Sequence, residues 1–172
     1  MSKKVLEMIN EQMNFELESA YIYKAMEVFV DDLQLDGFTS WLKIQSDEEL
    51  AHAEGMKLFL QSVGYKPVYK AIPQPEGQYE DILDVMKKAY EHEKLVSSKI
   101  REIAKVAREE DEERAISFIQ FYINEQVEEE ENFSKVVTRL ERIINDWPSI
   151  YVMDAEMGQR SKVVSVPGSQ NN

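Results

Sequence analysis

Proline and glycine are nearly absent from most of this chain, and their few positions dictate what it can fold into. No proline occurs between Ser2 and Val63, where the only glycines are Gly37 and Gly55, and from Gln78 to Trp147 there is neither. Long stretches without breakers, rich in Glu, Lys, Arg, Ile and Ala, read as helix. Between them, residues 65–78 hold Pro67, Pro73, Pro75 and Gly77, which marks one long connection. Turns are expected near Asp36 and within the charged run 108–114. Pro148 is expected to end the last long helix, with a short fifth helix over 149–160. On this reading residues 1–160 form one helical domain and residues 161–172 a polar tail that frays.

Each long segment carries one stripe at alternating steps of three and four. The first runs Ile9, Met13, Glu16, Ala20, Tyr23, Met26, Val30 and Leu33; the second Phe38, Leu42, Gln45, Glu49, His52, Met56, Phe59 and Val63. The third runs Tyr79, Ile82, Met86, Ala89, Glu93, Val96, Ile100, Ile103 and Ala107; the fourth Ala115, Ile119, Tyr122, Gln126, Glu129, Phe133, Val136, Leu140 and Ile143. Four such stripes predict an all-α fold, a four-helix bundle. A hairpin between the second and third helices would need only about 2–8 residues. The longer connection, able to reach roughly 45 Å at ~3.3 Å per residue, predicts a crossover along the bundle instead.

The stripes are apolar except near their middles, where Glu16, then Gln45, Glu49 and His52, then Glu93, then Gln126 and Glu129 interrupt them. Counted from the expected turns at ~1.5 Å per residue, these groups fall within roughly one helical turn of a common level. Burying an ionised carboxylate costs several kcal/mol unless a positive charge compensates it, and the stripes contain no Lys or Arg. A metal ion is the natural counter-charge. Glu49 and His52, spaced i and i+3, put two ligands on one helix face. Carboxylates with one imidazole suit iron or manganese more than copper, and the set resembles that of the ferritin-like dinuclear carboxylate proteins.

The chain has no cysteine, which excludes disulfides, thiolate zinc sites and cysteine-ligated iron–sulfur clusters. With 20 Lys+Arg against 33 Asp+Glu its formal charge is −13, a poor match for nucleic acid or anionic lipid. No stretch approaches ~20 uncharged apolar residues, so no membrane span is expected, and a cytoplasmic location is.

Five segments carry a closer resemblance: NEQMNFELESAYIY at 10–23, DEELAHAEG at 47–55, YEHEKLVSSKI at 90–100, FIQFYINEQVEEEENF at 118–133 and YVMDAEMGQR at 151–160. Together they resemble the prokaryotic non-haem ferritins over about residues 10–160. The resemblance implies a shell-forming homo-oligomer of 24 subunits that oxidises Fe(II) with dioxygen or peroxide and stores ferric mineral. One iron would be held by Glu16, Glu49 and His52, with Glu49 bridging to a second held by Glu93 and Glu129, and Gln126 beside it. Tyr23 matches a tyrosine that serves as electron donor, and Glu48, Glu125 and Glu128, with Glu129, match a third iron position. Haem is not expected: where bacterioferritin has E-x-x-H on its fourth helix, Gln126 and Glu129 stand here, and its haem-ligating methionine falls at Leu50. Rubrerythrin requires cysteines. Phe121 stands where some bacterial ferritins carry tryptophan.

Taken singly, a glutamate on a helix stripe is an edge residue and a lone histidine a packed core residue; their coincidence at one level favours a metal. Glu130 and Glu131 read as solvated helix face, His92 as surface, and Met8, Met13, Met26, Met56 and Met86 as core or interface filling. Phe15, Tyr21, Phe29, Trp41 and Leu60 fall off the inner stripes and read as subunit contacts. The alternatives are a di-iron redox enzyme acting on another, organic substrate in a small oligomer, and a metal-free interaction bundle.

Overall fold

The breaker-free stretches are helical throughout. A computed structural model describes residues 1–161 and contains α1 (Lys3–Asp32), α2 (Asp36–Ser62), α3 (Ile82–Glu109), α4 (Glu113–Ile143) and α5 (Trp147–Met157). The expected tail lies outside the described residues from 162 onward. Gln34 and Asp111 take left-handed backbone at the two tight turns, with φ 59° and 53°.

Helix directions follow from the contacts between them. Phe15 and Phe29 of α1 meet Lys99 and Tyr79, respectively, so α1 and α3 are antiparallel. Gln45 and Phe59 of α2 meet Glu129 and Phe118 of α4, so these two are antiparallel as well. The short α1–α2 turn reverses the chain, which leaves α2 and α3 parallel and forces residues 63–81 to return along the whole bundle. The returning strand of chain is pinned to α1. Asn10 Oδ1 accepts from Val68 N (2.7 Å), Asn14 Oδ1 accepts from Lys70 N (2.7 Å), and Asn14 Nδ2 donates to Val68 O (2.8 Å). Asn10 is therefore buried without an unsatisfied amide.

Pro148 opens α5 instead of closing α4, because α4 already ends at Ile143 and the ring's fixed φ suits a first helical turn. Asp146 caps the new helix by accepting from Ser149 N (3.2 Å). α5 lies across the start of α2, where no residue of α2 itself caps the free amides. Asp154 does so from outside, its Oδ1 accepting from Phe38 N at 2.8 Å. Gly37 permits this approach: a Cβ there would lie 1.7 Å from the Asp154 carbonyl oxygen.

The core is divided into two apolar halves by a polar layer. One half gathers Met26, Phe38, Trp41, Leu42, Met86, Phe133 and Leu140; the other gathers Ile9, Met13, Met56, Leu60, Ile100, Ile103 and Ile119. Trp41 and Leu60, expected to face outward, are buried in these halves. The buried face of α2 is wider than one row of residues, and near Trp41 it is widened by Phe133, whose ring sits edge-on at 4.9 Å. Phe29 packs on Tyr79, and Tyr21 remains about half exposed.

Candidate metal centre

The polar layer is where the stripes are interrupted. Glu16, Gln45, Glu49, His52, Glu93 and Gln126 are all buried, with Glu16 and Glu93 at 0% exposure. Glu16 from α1 and Glu49 and His52 from α2 each turn a ligand atom toward the same point, and these three atoms lie within 4.8 Å of one another. Among the described residues this is the only cluster of three such groups. His52 Nδ1 is 3.4 Å from Glu49 Oε2. Gln12, one turn before Glu16, donates to Glu16 Oε1 at 2.9 Å, while Glu16 Oε2 is buried with no hydrogen-bond partner. An orphaned carboxylate oxygen aimed at two further donors is the arrangement a metal ion completes.

Glu93 and Glu129 sit in the same layer but are occupied by hydrogen bonds. Glu93 accepts from the Tyr23 phenol and from Gln126 Nε2 (3.0 Å). Gln126 also reaches Ser97 Oγ at 3.3 Å. Glu129 Oε2 accepts from Gln45 Nε2 at 2.8 Å, and the same amide reaches Glu49 Oε1 at 3.4 Å.

Burial drives the protonation of these groups. It raises Glu16 well above the usual carboxylate range, helped by the charge of Glu49. It raises Glu49 likewise, next through Glu93, and it pushes Glu93 up to about 7 despite the bonds from Gln126 and Tyr23. Glu129 is pushed up to about 8 by burial and then by Glu93 and Glu48. Burial and the Glu93 charge also hold the Tyr23 phenol protonated. A cation in this layer would reverse the sense of all these shifts, since it stabilises the ionised ligands.

Glu48, Glu125 and Glu128 form the flank of the layer. Burial raises Glu48, with Glu125 adding to the effect, and burial raises Glu125, with Glu128 adding. Glu128 is exposed. Glu48 is bound by Arg160, whose Nη2 donates to its Oε2 at 2.5 Å. Arg160 stands outside all four stripes, so stripe periodicity gives it no signal; its only mark is as the last residue of YVMDAEMGQR. His92, expected at the surface, is only partly exposed. Its Nε2 lies 2.7 Å from Ser19 Oγ and its ring packs on Phe15 at 5.3 Å, because α1 runs directly over that face of α3. Burial, followed by the charge of Lys99, lowers the His92 imidazole to about 4. Phe121 packs edge-on near His52, with ring centroids 6.5 Å apart.

A four-helix bundle with a parallel central pair joined by a long crossover, and with carboxylates and one E-x-x-H histidine at mid-height, defines the ferritin-like class of carboxylate proteins. The chain belongs to the ferritin family: the model of the ferritin-like domain matches residues 6–143. It is 32% identical to a probable bacterial non-heme ferritin-like protein of Haemophilus influenzae over 94% of this chain and 98% of that one. It is 31% identical to a bacterial non-heme ferritin of Staphylococcus haemolyticus, over 94% and 97% of the two chains. Among solved structures, an open-pore ferritin from the archaeon Archaeoglobus fulgidus superimposes with a TM-score of 0.92, at 34% identity over 94% of this chain and 99% of that one. An Archaeoglobus fulgidus ferritin engineered to a closed form gives the same TM-score at 33% identity. Among the described residues, no helix is long and apolar enough to cross a membrane.

Proposed function

We propose that this chain is a cytoplasmic iron-storage ferritin subunit that oxidises Fe(II) with dioxygen or peroxide and holds the ferric product within a 24-subunit shell. The observation that supports it most is the buried Glu16, Glu49 and His52 cluster with its orphaned Glu16 oxygen. Iron is the substrate. Glu16, Glu49 and His52 take one Fe(II); Glu49, Glu93 and Glu129 take the second once Tyr23, Gln126 and Gln45 release lone pairs on those carboxylates. Each Fe(II) gives one electron, and dioxygen with two protons leaves as hydrogen peroxide. Tyr23, donating to Glu93, is the local reserve of a further electron and proton. Hard carboxylate oxygens favour Fe(III) over Fe(II), which supplies part of the driving force. The third iron position is assigned to Glu48, Glu125 and Glu128 with Glu129, a set whose charges already act on one another.

Aerobic Fe(II) titration of purified protein, followed by light-scattering size measurement, tests the reading. The expected result is a shell that turns over many Fe(II) per chain and gains an electron-dense core. A small oligomer that consumes dioxygen but retains only two iron per chain would favour the redox-enzyme alternative and overturn storage.

A further inference from the structure

One cation touches the carboxylates of the layer, and it comes from outside the four long helices. Among the described residues, no other lysine or arginine forms an ion pair with Glu16, Glu48, Glu49, Glu93, Glu125, Glu128 or Glu129. Arg160 lies three residues beyond the end of α5, whose position against α2 is held by the Asp154 bond to Phe38 and the close approach of Gly158 to Gly37. Its guanidinium lies over the Trp41 ring, 4.7 Å from the centroid, and uses both arms of its fork. Nη2 donates to Glu48 Oε2 at 2.5 Å and Nη1 donates to Gln45 Oε1 at 2.9 Å.

The second arm matters because an amide has two faces. With its oxygen committed to Arg160, Gln45 must turn its NH2 inward, where it occupies Glu129 Oε2 and reaches toward Glu49 Oε1. Those lone pairs are the ones a metal would use. A single guanidinium therefore covers Glu48 directly and Glu129 through Gln45.

We propose that Arg160 is a positioning residue for iron hand-over. It is an exchangeable counter-charge that holds Glu48 and, through Gln45, Glu129, and it withdraws when a cation binds the third position at Glu48. This rests on the third-site reading above. It explains why a flank of carboxylates remains paired without metal. It also ties iron passage to the end of α5, the element that contacts both α2 and α4. A cation at Glu48 and the Arg160 guanidinium repel each other, so binding there weakens the Arg160 contact.

The test uses Zn2+, which is redox-silent, on the assembled protein. Calorimetric titration of the parent should show three equivalents per chain. Arg160→Ala should strengthen the third relative to the first two by about five- to tenfold, the size expected from removing one partly screened charge. Arg160→Lys keeps the charge but loses the fork, so its gain should be smaller. A second readout leaves Arg160 in place: in a Trp147→Phe background Trp41 is the sole tryptophan, and its emission should change with the third equivalent only. In the double variant lacking Arg160 that change should vanish. Three equivalents with an unaltered third affinity in Arg160→Ala, or a Trp41 signal complete after the first two, overturns the role of Arg160 and leaves the third site standing. Two equivalents in both proteins overturns the site reading beneath it.

Discussion

The Glu16, Glu49 and His52 side of the polar layer and the Glu93, Gln126 and Glu129 side carry similar residues but satisfy them differently. On the first, three ligand atoms face one another within 4.8 Å and one Glu16 oxygen receives no bond from an amide, phenol or backbone donor. On the second, each carboxylate already accepts from a phenol or an amide: Glu93 from Tyr23 and Gln126, Glu129 from Gln45. Glu93 and Gln126 are as buried as the first side and Glu129 is partly so, and the larger difference lies in local donors. A site with bare lone pairs is poised for a cation and is unstable without one; a site supplied with donors is stable alone and must break bonds to bind. The comparison predicts a tight first position and a looser second one, which suits the proposed oxidation and release of iron.

The largest effect should come from removing the proposed bridging carboxylate. Glu49→Ala should slow the initial rate of Fe(II) oxidation roughly 100-fold or more, as loss of a first ligand generally does. Glu130→Ala, which removes a partly buried carboxylate paired with Arg101 outside the layer, should leave the rate close to the parent, and equal rates for the two in stopped-flow oxidation would break the comparison. Gln126→Ala should act on the second position alone, altering the second Zn2+ equivalent by about tenfold in calorimetry with the first unmoved.

Metal-free stability should also depend on pH. Glu93 and Glu129, held near 7 and 8, bind protons in the folded state that they lose near pH 4 to 5 when unfolded. Their contribution is therefore fully present below about pH 4 and is lost as pH rises through 7 and 8. Thermal melting of the chelator-treated protein should fall from pH 5.5 to 8.5, and saturating Zn2+ should flatten the slope. Glu16→Gln removes the worst-satisfied carboxylate and should raise metal-free stability by about 1–3 kcal/mol while weakening the first metal position. The smallest change should follow Tyr23→Phe, which deletes one bond to Glu93 and should cost about 1 kcal/mol in metal-free unfolding. If Tyr23→Phe proves worse than Glu16→Gln is beneficial, the two sides are less different than their hydrogen bonds imply.

Much of this was legible without coordinates. Four long apolar stripes pack as a bundle, and a Pro-rich connection too long for a hairpin favours the crossover that the parallel α2 and α3 require. The level of the polar residues followed from helical rise alone. Three readings failed because they assumed that one stripe per helix is the whole interior. His92 lies one step off its stripe yet is covered by α1, and Trp41 and Leu60 are buried in the two core halves. Pro148, which along the sequence looks like a stop, stands one residue into α5 and is a start.

The sequence by itself determined the helices, their apolar faces and the height of the carboxylates, because these depend on spacing along one chain axis. Only the tertiary structure decided which lone pairs are free and which are taken. Whether Gln45 turns its NH2 or its oxygen to Glu129 depends on Arg160, 115 residues away in the chain. That arginine is placed by a helix whose docking needs Gly37 and Asp154 to meet. Periodicity records distance along a helix; hydrogen-bond donors and counter-charges act through space, and no local pattern encodes them.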